Sequence, residues 1–573
     1  MATMARAEPQ TSWPADPIGR LLTLATASHA AAVSALVVVA LLAFLPGFFQ
    51  IPPTDRDETR FAQATKQMVE TGDFVDIRFQ DEVRYKKPVG IYWLQAGAVM
   101  AGEALKIPQA RTRIWLYRIP SLVGAVGAVL LTYWTALAFL PRRYAFLAAL
   151  MMAGSLLLMV EARLAKTDAA LLFTIVAAMG ALARAYLGRV TPGGGLRGLA
   201  LPAIFWTALA AGVLLKGPII VMIAGLTVIT LAVYDRSARF LLALRPVIGM
   251  AWFAVLVLPW FVAIAGRAGD SFLAESVGRD MLPKLILPQE GHGAPPGFYL
   301  LLFWVTFWPA APLAALAAPA VWAERRERPV RFLLAWLVPA WIVFEVVVTK
   351  LPHYVMPLYP AIAILIARAI RDGALSQTRW LRRGTLWWPL IAIVIPVGSV
   401  VALIAMRHQL GLLAWPVGAG AMVLGFMAWR YFDADGPEKS LARAVGAALL
   451  VAITFFGIIA PSLRPLFPSA TIARVLPTED CEHRVVAAAG YHEPSLVFLL
   501  GTDIKLTDGA GAADLLRGGN CRFALVDARE QRAFAQRAEA IGLRYALGPR
   551  IEAFNTNNGR ALSIFIYRAG KAL

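Results

Sequence analysis

Blocks of apolar residues long enough to cross a bilayer recur along most of this chain, and no other feature restricts its fold so tightly. Spanning takes roughly 20 mainly apolar residues, and residues 31–48, 201–215, 247–264 and 445–459 each supply most or all of that length. The first block begins too far in and runs too long for a cleavable signal peptide, so it reads as a retained span. Composition agrees: 59% of the 573 residues are hydrophobic and only 16% charged, where soluble domains carry about 25% charged residues. Hydropathy gives about thirteen spans, near residues 30–50, 112–139, 143–161, 168–187, 199–215, 217–234, 246–265, 298–321, 331–349, 353–371, 386–406, 411–430 and 442–462. The fifth and sixth could instead be one re-entrant pair around Lys216-Gly217-Pro218.

The formal charge of +19 fits loops that touch anionic headgroups better than it fits nucleic acid, because no basic run is interleaved with aromatic residues. Short arginine-rich loops alternate with loops of another character. The basic set includes Arg142–Arg143, Arg236 to Arg245, Arg325 to Arg331, Arg379 to Arg383 and Arg430 to Arg443. By the positive-inside rule this set and the N-terminus are cytoplasmic. The opposite set carries ionisable groups close to membrane depth, where charge is costly and usually functional. It comprises the long loop 51–111, then Glu161, Arg163, Lys166 and Asp168, then the loop 266–297 with Glu275, Arg279, Asp280, Lys284 and His292, and finally Lys350 and His353.

From residue 464 the composition shifts to β-like runs, Arg484–Ala488, Ser495–Leu500, Arg522–Asp527 and Leu562–Tyr567, around a helical stretch at 530–541. The chain therefore divides into a membrane unit, residues 1–463, and a small outer α/β domain, residues 464–573. Both cysteines, Cys481 and Cys521, fall in the compartment where disulfides persist. A bridge between them is expected, with two free buried thiols as the alternative.

The chemistry concentrates in the first outer loop. Three carboxylates, Asp55, Asp57 and Glu58, directly follow a span. An amphipathic helix with Phe61, Ala64, Met68 and Val69 on one side comes next, and Gly72-Asp73 ends it. The loop then returns to Tyr85-Lys86-Lys87-Pro88 at the next apolar surface. The pattern Asp-Glu-x-Arg-Phe-Ala, Gly-Asp-Phe, Tyr-x-Lys-Pro, Tyr-Trp resembles the first outer loop of the bacterial aminoarabinose transferases of lipid A, relatives of the protein O-mannosyltransferases. Arg163-Leu-Ala-Lys-Thr-Asp168, the segments around Arg279 and His292-Gly-Ala-Pro-Pro-Gly-Phe-Tyr299, and Thr349-Lys-Leu-Pro-His-Tyr354 agree with it, in order, over roughly residues 30–370.

That resemblance implies an all-α polytopic fold of the GT-C type with a small periplasmic α/β domain, in the bacterial inner membrane with its active site on the periplasmic face. It implies an inverting transfer of a sugar from a polyprenyl-phosphate carrier to lipid A or another periplasmic acceptor. Lys87 and Arg279 would receive the carrier phosphate, with Tyr354, Lys350 and Tyr85 as further phosphate or sugar contacts. Asp57 corresponds to the first-loop catalytic aspartate and Asp168 is the second carboxylate. Asp57 could take a proton from an acceptor hydroxyl, orient the sugar, or hold a divalent cation with Asp55. With a phosphate acceptor it would act by positioning. Asp57 and Glu58 could instead cap their helix. Arg60 and Arg163 could pair with these acids, and His292 and His353 are each either ligands or structural hydrogen-bonders.

Two departures bear on the sugar. Lys86 stands where some members carry Glu, and Leu273-Ala-Glu-Ser-Val-Gly278 lacks a His, so the zinc site of the aminoarabinose type is not expected. The added charge of Lys86 suits a carboxylated sugar over an amino sugar. A transporter or flippase of lipid-linked sugar, the alternative from another class, would carry ionisable residues near mid-span, and protein O-glycosylation would keep the fold with another acceptor.

Overall fold

A computed structural model describes residues 16–189, 198–269, 272, 293–476, 481, 484–519 and 521–569. Arg279 and His292 lie outside them. The first half runs α1 (Pro17–Ala25), α2 (His29–Phe44), α3 (Asp57–Thr71), α4 (Gly90–Ala104), α5 (Ile114–Ala136), α6 (Arg142–Gly154), α7 (Leu156–Glu161), α8 (Asp168–Tyr186), α9 (Ala200–Lys216), α10 (Ile219–Asp235) and α11 (Pro246–Ala268). Further apolar helices follow, through Phe432–Ala452. Helices are the only open-ended way to satisfy backbone groups in lipid, and the apolar stretches of the sequence fold as helices, with 143–161 and 298–321 each broken into two. Among the described residues seven helices are long and apolar enough to cross a membrane, or eight if α1 and α2 count as one bent span. The chain is thus a multi-pass membrane protein. α9 and α10 are separate helices joined at Gly217.

The ends of this bundle differ. At one end a lysine and arginines meet acids from neighbouring connections: Lys439 with Asp16 at 2.6 Å, Arg143 with Glu438 at 2.6 Å, Arg368 with Glu324 at 2.8 Å, and Arg331 with Asp235. These are the segments assigned to the cytoplasm from their charge. At the opposite end lie α3, α4, the α7–α8 connection and the C-terminal sheet.

α3 lies across the helix ends there. Its apolar face, Phe61, Ala64 and Met68, packs with Ala170 of α8, Leu215 of α9 and Trp260 of α11, and Gly72 ends it in the left-handed conformation that only glycine adopts without cost. α4 starts at Gly90, where an added Cβ would sit 2.7 Å from the Leu214 carbonyl. That close approach sets the lysines before α4 beside the end of α9.

One ion pair ties these parts together. The Glu58 carboxylate on α3 and the Arg118 guanidinium on α5 meet in two contacts, 2.7 and 3.0 Å, and both side chains are wholly buried. Glu58 also accepts from the Ala165 N–H at 3.0 Å and from the Thr54 N–H and hydroxyl. Arg118 donates to the carbonyls of Phe48, Ile51 and Pro52. The pair therefore fixes the exit of α2, the start of α3 and the α7–α8 connection on one span. Burial pushes the Glu58 carboxyl up, but Arg118 and Thr54 outweigh it and hold it below its ordinary range.

Beyond the last apolar helix, residues 468–569 build a five-stranded mixed sheet, in order β4-β3-β5-β7-β6. The strands are β3 (Val485–Ala489), β4 (Lys505–Thr507), β5 (Arg522–Asp527), β6 (Tyr545–Asn555) and β7 (Arg560–Ala569); β1 and β2 are the two-residue ribbon Arg78–Phe79 and Glu82–Val83. A disulfide joins Cys481 to Cys521, with Cα atoms 5.5 Å apart. The run Ser495–Leu500, expected as a strand, is part of the helix Pro494–Leu500. Its proline stands at the first turn, where a missing N–H costs nothing, and the apolar run is buried around the helix instead of alternating.

Breaking the Glu58–Arg118 pair leaves an uncompensated buried charge. Glu58→Gln or Arg118→Met in the full chain is expected to cost roughly 3–5 kcal/mol in thermal unfolding. The Glu58→Leu/Arg118→Met double variant should cost clearly less than the sum of the two single changes.

Candidate functional site

The α7–α8 connection, the end of α9 and the segment after Thr349 converge in a cluster of charged groups. Asp168 opens α8, where an acid suits the helix N-terminus. It pairs with Lys216 at the last residue of α9 and lies 3.9 Å from Lys166. Lys166 also reaches Glu161 at 3.2 Å. The His353 ring bridges the two acids, Nδ1 lying 3.5 Å from Glu161 and Nε2 3.5 Å from Asp168. The Lys216 ammonium sits 5.4 Å from the centre of the Tyr354 ring. Asp168, Lys216, His353 and Tyr354 line a small cavity of about 10 Å³, room for a single water.

The first outer loop meets this cluster from outside. Asp57 is exposed at the first residue of α3, and its charge bears on Lys166. Lys87, half-buried before α4, bears on His353, and its ammonium donates to the Lys86 carbonyl at 2.9 Å. Lys86 itself points to solvent. Residues distant in the chain, Asp57, Lys87, Asp168, His353 and Tyr354, thus share one region.

Other expected site residues have different work. Asp55 does not pair with Asp57: it faces the C-terminal unit, accepting from the Ser495 N–H at 3.3 Å and the Tyr491 hydroxyl at 3.4 Å. A hydroxyl chain, Ser495 to Ser469 at 2.6 Å with Tyr491 at 2.9 Å from Ser469, backs this contact, so Asp55 is a docking residue. Tyr85 donates to Asp76 at 2.7 Å and packs on Phe272, a fold inside the loop; burial and the Asp76 carboxylate push its hydroxyl up to about 12. Lys350 donates to the carbonyls of Glu345 and Val347 at a helix end. Arg163 turns from the acids to the carbonyls of Pro46, Met159 and Ala43 and lies over Phe456. Arg60 is half-buried on α3, and Glu58 belongs to the Arg118 pair. Lys216 was the chief omission from the expected set. Its signal was a single lysine between two apolar stretches, on the side where the other charged groups collect.

Glu161, Asp168 and His353 offer ligand atoms within 4.8 Å of one another, close enough to hold a metal ion. Lys166 and Lys216, however, already balance both carboxylates in charge, and a lysine beside each acid competes with a cation for it. These residues therefore fit an anion outside the cluster better than a divalent ion within it.

The architecture and these motifs have known counterparts. The dolichyl-phosphate-mannose-protein mannosyltransferase family matches residues 34–270. An undecaprenyl phosphate-alpha-4-amino-4-deoxy-L-arabinose arabinosyl transferase of Pectobacterium carotovorum is 28% identical over 460 residues, 75% of this chain and 76% of its own. A Pseudomonas aeruginosa protein of the same name is 30% identical over 58% of each chain. In three dimensions the chain is similar to ArnT from Cupriavidus metallidurans, with TM-score 0.74 at 17% identity, covering 94% of this chain and 98% of that one. A structure of that ArnT bound to undecaprenyl phosphate aligns with TM-score 0.72.

Burial pushes the Asp55 carboxyl up to about 6, against the hydrogen bonds from Ser495 and with the help of Glu493. The folded state thus binds a proton that the unfolded chain releases near 4. The resulting stability is fully present below about pH 4 and lost as pH rises through 6. This contribution to the stability of the full chain should fall between pH 4 and 7, by about 3 kcal/mol at most. Asp55→Asn should abolish that part of the pH profile in thermal unfolding.

Proposed function

We propose that this chain, which belongs to the GT-C membrane glycosyltransferases related to the protein O-mannosyltransferases, moves a sugar from a polyprenyl-phosphate carrier to a lipid A-type acceptor. The observation that carries the reading is the convergence of Asp57 and Lys87 with Asp168, Lys216 and Tyr354 at one end of the bundle. The undecaprenyl phosphate and arabinosyl transferase named for the relatives support the donor and the reaction class.

In this reading the membrane unit, residues 1–463, makes thirteen spans in the inner membrane. The end bearing α3, α4 and the 464–573 domain faces the periplasm. Transfer breaks the bond between the sugar's anomeric carbon and the carrier phosphate oxygen, so negative charge grows on that phosphate. Lys87 and Lys216, with Arg279 from the loop 266–297, stabilise it, more in the transition state than in the ground state. Tyr354 forms the wall under the Lys216 ammonium. Asp168 acts through the lysines it orients. An acceptor phosphate is already ionised and needs no base, so Asp57 positions the attacking oxygen on the face opposite the leaving phosphate, which inverts the anomeric centre. Lys86, exposed beside Lys87, favours a sugar without an amino group near it. The charged groups lie at the bundle ends, which favours this reading over transport.

The test uses full-length protein in liposomes with a polyprenyl-phosphate sugar and a phosphorylated glycolipid. Asp57→Asn should lower kcat at least about 100-fold, and Lys87→Met should raise the donor KM about tenfold. Unchanged transfer by Asp57→Asn, or carrier translocation without transfer by the wild type, contradicts the reading.

A further inference from the structure

α3 and α4 run side by side and in the same direction. The Phe61 ring lies 5.5 Å from Tyr92, and one turn later the Thr65 hydroxyl donates to Gln95 at 2.7 Å. Both helices start at the charged cluster, Asp57 opening α3 and Lys87 preceding α4. Each has 15 residues, so their far ends lie about 22 Å from the cluster.

A second, open cleft of about 750 Å³ lies at those far ends. One wall is the connection from α4 to α5, and the other is the helix Pro468–Val475 with the start of β3. Arg111, Arg113, Arg474 and Arg484 line it, against a single carboxylate among the described residues, Glu103, which Arg111 engages at 2.5 Å. Among the described residues, the buried Arg484 Nη1 has no hydrogen-bond partner. A snorkelling arginine keeps its head in water; this Nη1 has left the water without gaining an acceptor among those residues. Ile107 and Leu499 add an apolar floor. Arg113 immediately precedes the span Ile114–Ala136, so the cleft opens at the level of the membrane surface.

We propose that this cleft is an acceptor subsite that binds the phosphorylated headgroup of an anionic glycolipid. It holds a phosphate other than the one that receives the sugar, and the inference rests on the transfer reading above. Guanidinium groups recognise phosphate oxygens in pairs; with Arg111 engaged by Glu103, Arg113 on one wall and Arg474 and Arg484 on the other are left to meet a headgroup phosphate entering from the bilayer edge. The separation from Lys87 excludes this cleft as the place of reaction. The C-terminal domain, which supplies one wall, thereby selects the acceptor.

The experiment compares full-length wild type with Arg113→Ala/Arg474→Ala and, separately, Arg474→Glu. Both substituted arginines sit on the cleft's outer walls, and unchanged thermal unfolding certifies the fold. Binding and transfer are measured with a glucosamine disaccharide lipid carrying two phosphates or one. Both variants should raise the Kd and KM for the bisphosphorylated lipid about tenfold, with donor KM and kcat unchanged. The monophosphorylated lipid should show little difference between variants and wild type. Inorganic phosphate and phosphatidylglycerol vesicles serve as competitors, and neither should displace the bisphosphorylated lipid at comparable concentration. Unchanged binding in both variants, equal competition by phosphatidylglycerol, or a rise in donor KM instead would overturn the proposal. A wild type that binds this lipid through the arginines but transfers nothing would contradict the transfer reading and leave the cleft standing as a lipid site.

Discussion

The buried pair of Glu58 and Arg118 is the constraint on which the outer end of this protein depends. Glu58 stands one residue after Asp57, and the Oε1 that meets Arg118 Nε also accepts from the Ala165 N–H, one residue before Lys166. The same ion pair therefore fixes a catalytic candidate on α3 and a charged residue of the α7–α8 connection relative to one span. A buried pair is weak evidence for stability, because desolvation consumes much of the Coulomb gain. Its value here is geometric. The remaining hydrogen-bonding groups of both partners are taken by Thr54 and by the carbonyls at the exit of α2, so the arrangement has one satisfied form.

A bilayer edge is a poor place to keep free charge, and the cluster beside this pair follows from that. Two acids and two lysines offset one another at Glu161, Lys166, Asp168 and Lys216, with His353 between the acids. Balanced internally, the cluster leaves no net buried charge, and Lys87 before α4 adds a half-buried cation beside it. Asp57 and Lys87 come to it from a loop that is itself held from both sides, by Arg118 below and by the C-terminal sheet unit above. Gln63, Lys66 and Gln80 of that loop bond to Thr502, Phe498 and Ile504, and Asp55 adds a contact that loosens as pH rises.

Much of this was legible in the sequence because bilayers impose simple rules. Apolar length marked the helices, arginine-rich loops marked one end, and the order Asp57, Lys87, Asp168, Tyr354 named residues that the fold brings into one region. What was not legible is what depends on partners far along the chain. Asp55, Asp57 and Glu58 are indistinguishable as a row of acids, yet Asp55 accepts from Ser495, Glu58 pairs with Arg118, and Asp57 stays exposed with its charge bearing on Lys166. Arg118 was hidden inside an apolar span, and Lys216 looked like a loop residue. Lys350 and Tyr85 carry the right chemistry but spend it on helix-end carbonyls and on Asp76. Ser495–Leu500 misled because a short buried apolar run has no period to reveal.

The central claim is that the carrier phosphate binds where the first outer loop meets the lysine and carboxylate cluster. The most direct measurement is a cryo-electron microscopy map of the full chain in a lipid nanodisc with polyprenyl phosphate added. The account predicts phosphate density within hydrogen-bond distance of the Lys87 ammonium, on the Lys216 and Tyr354 side of Asp168. Density for that phosphate in the arginine-lined cleft, or at the opposite end of the bundle, would contradict it.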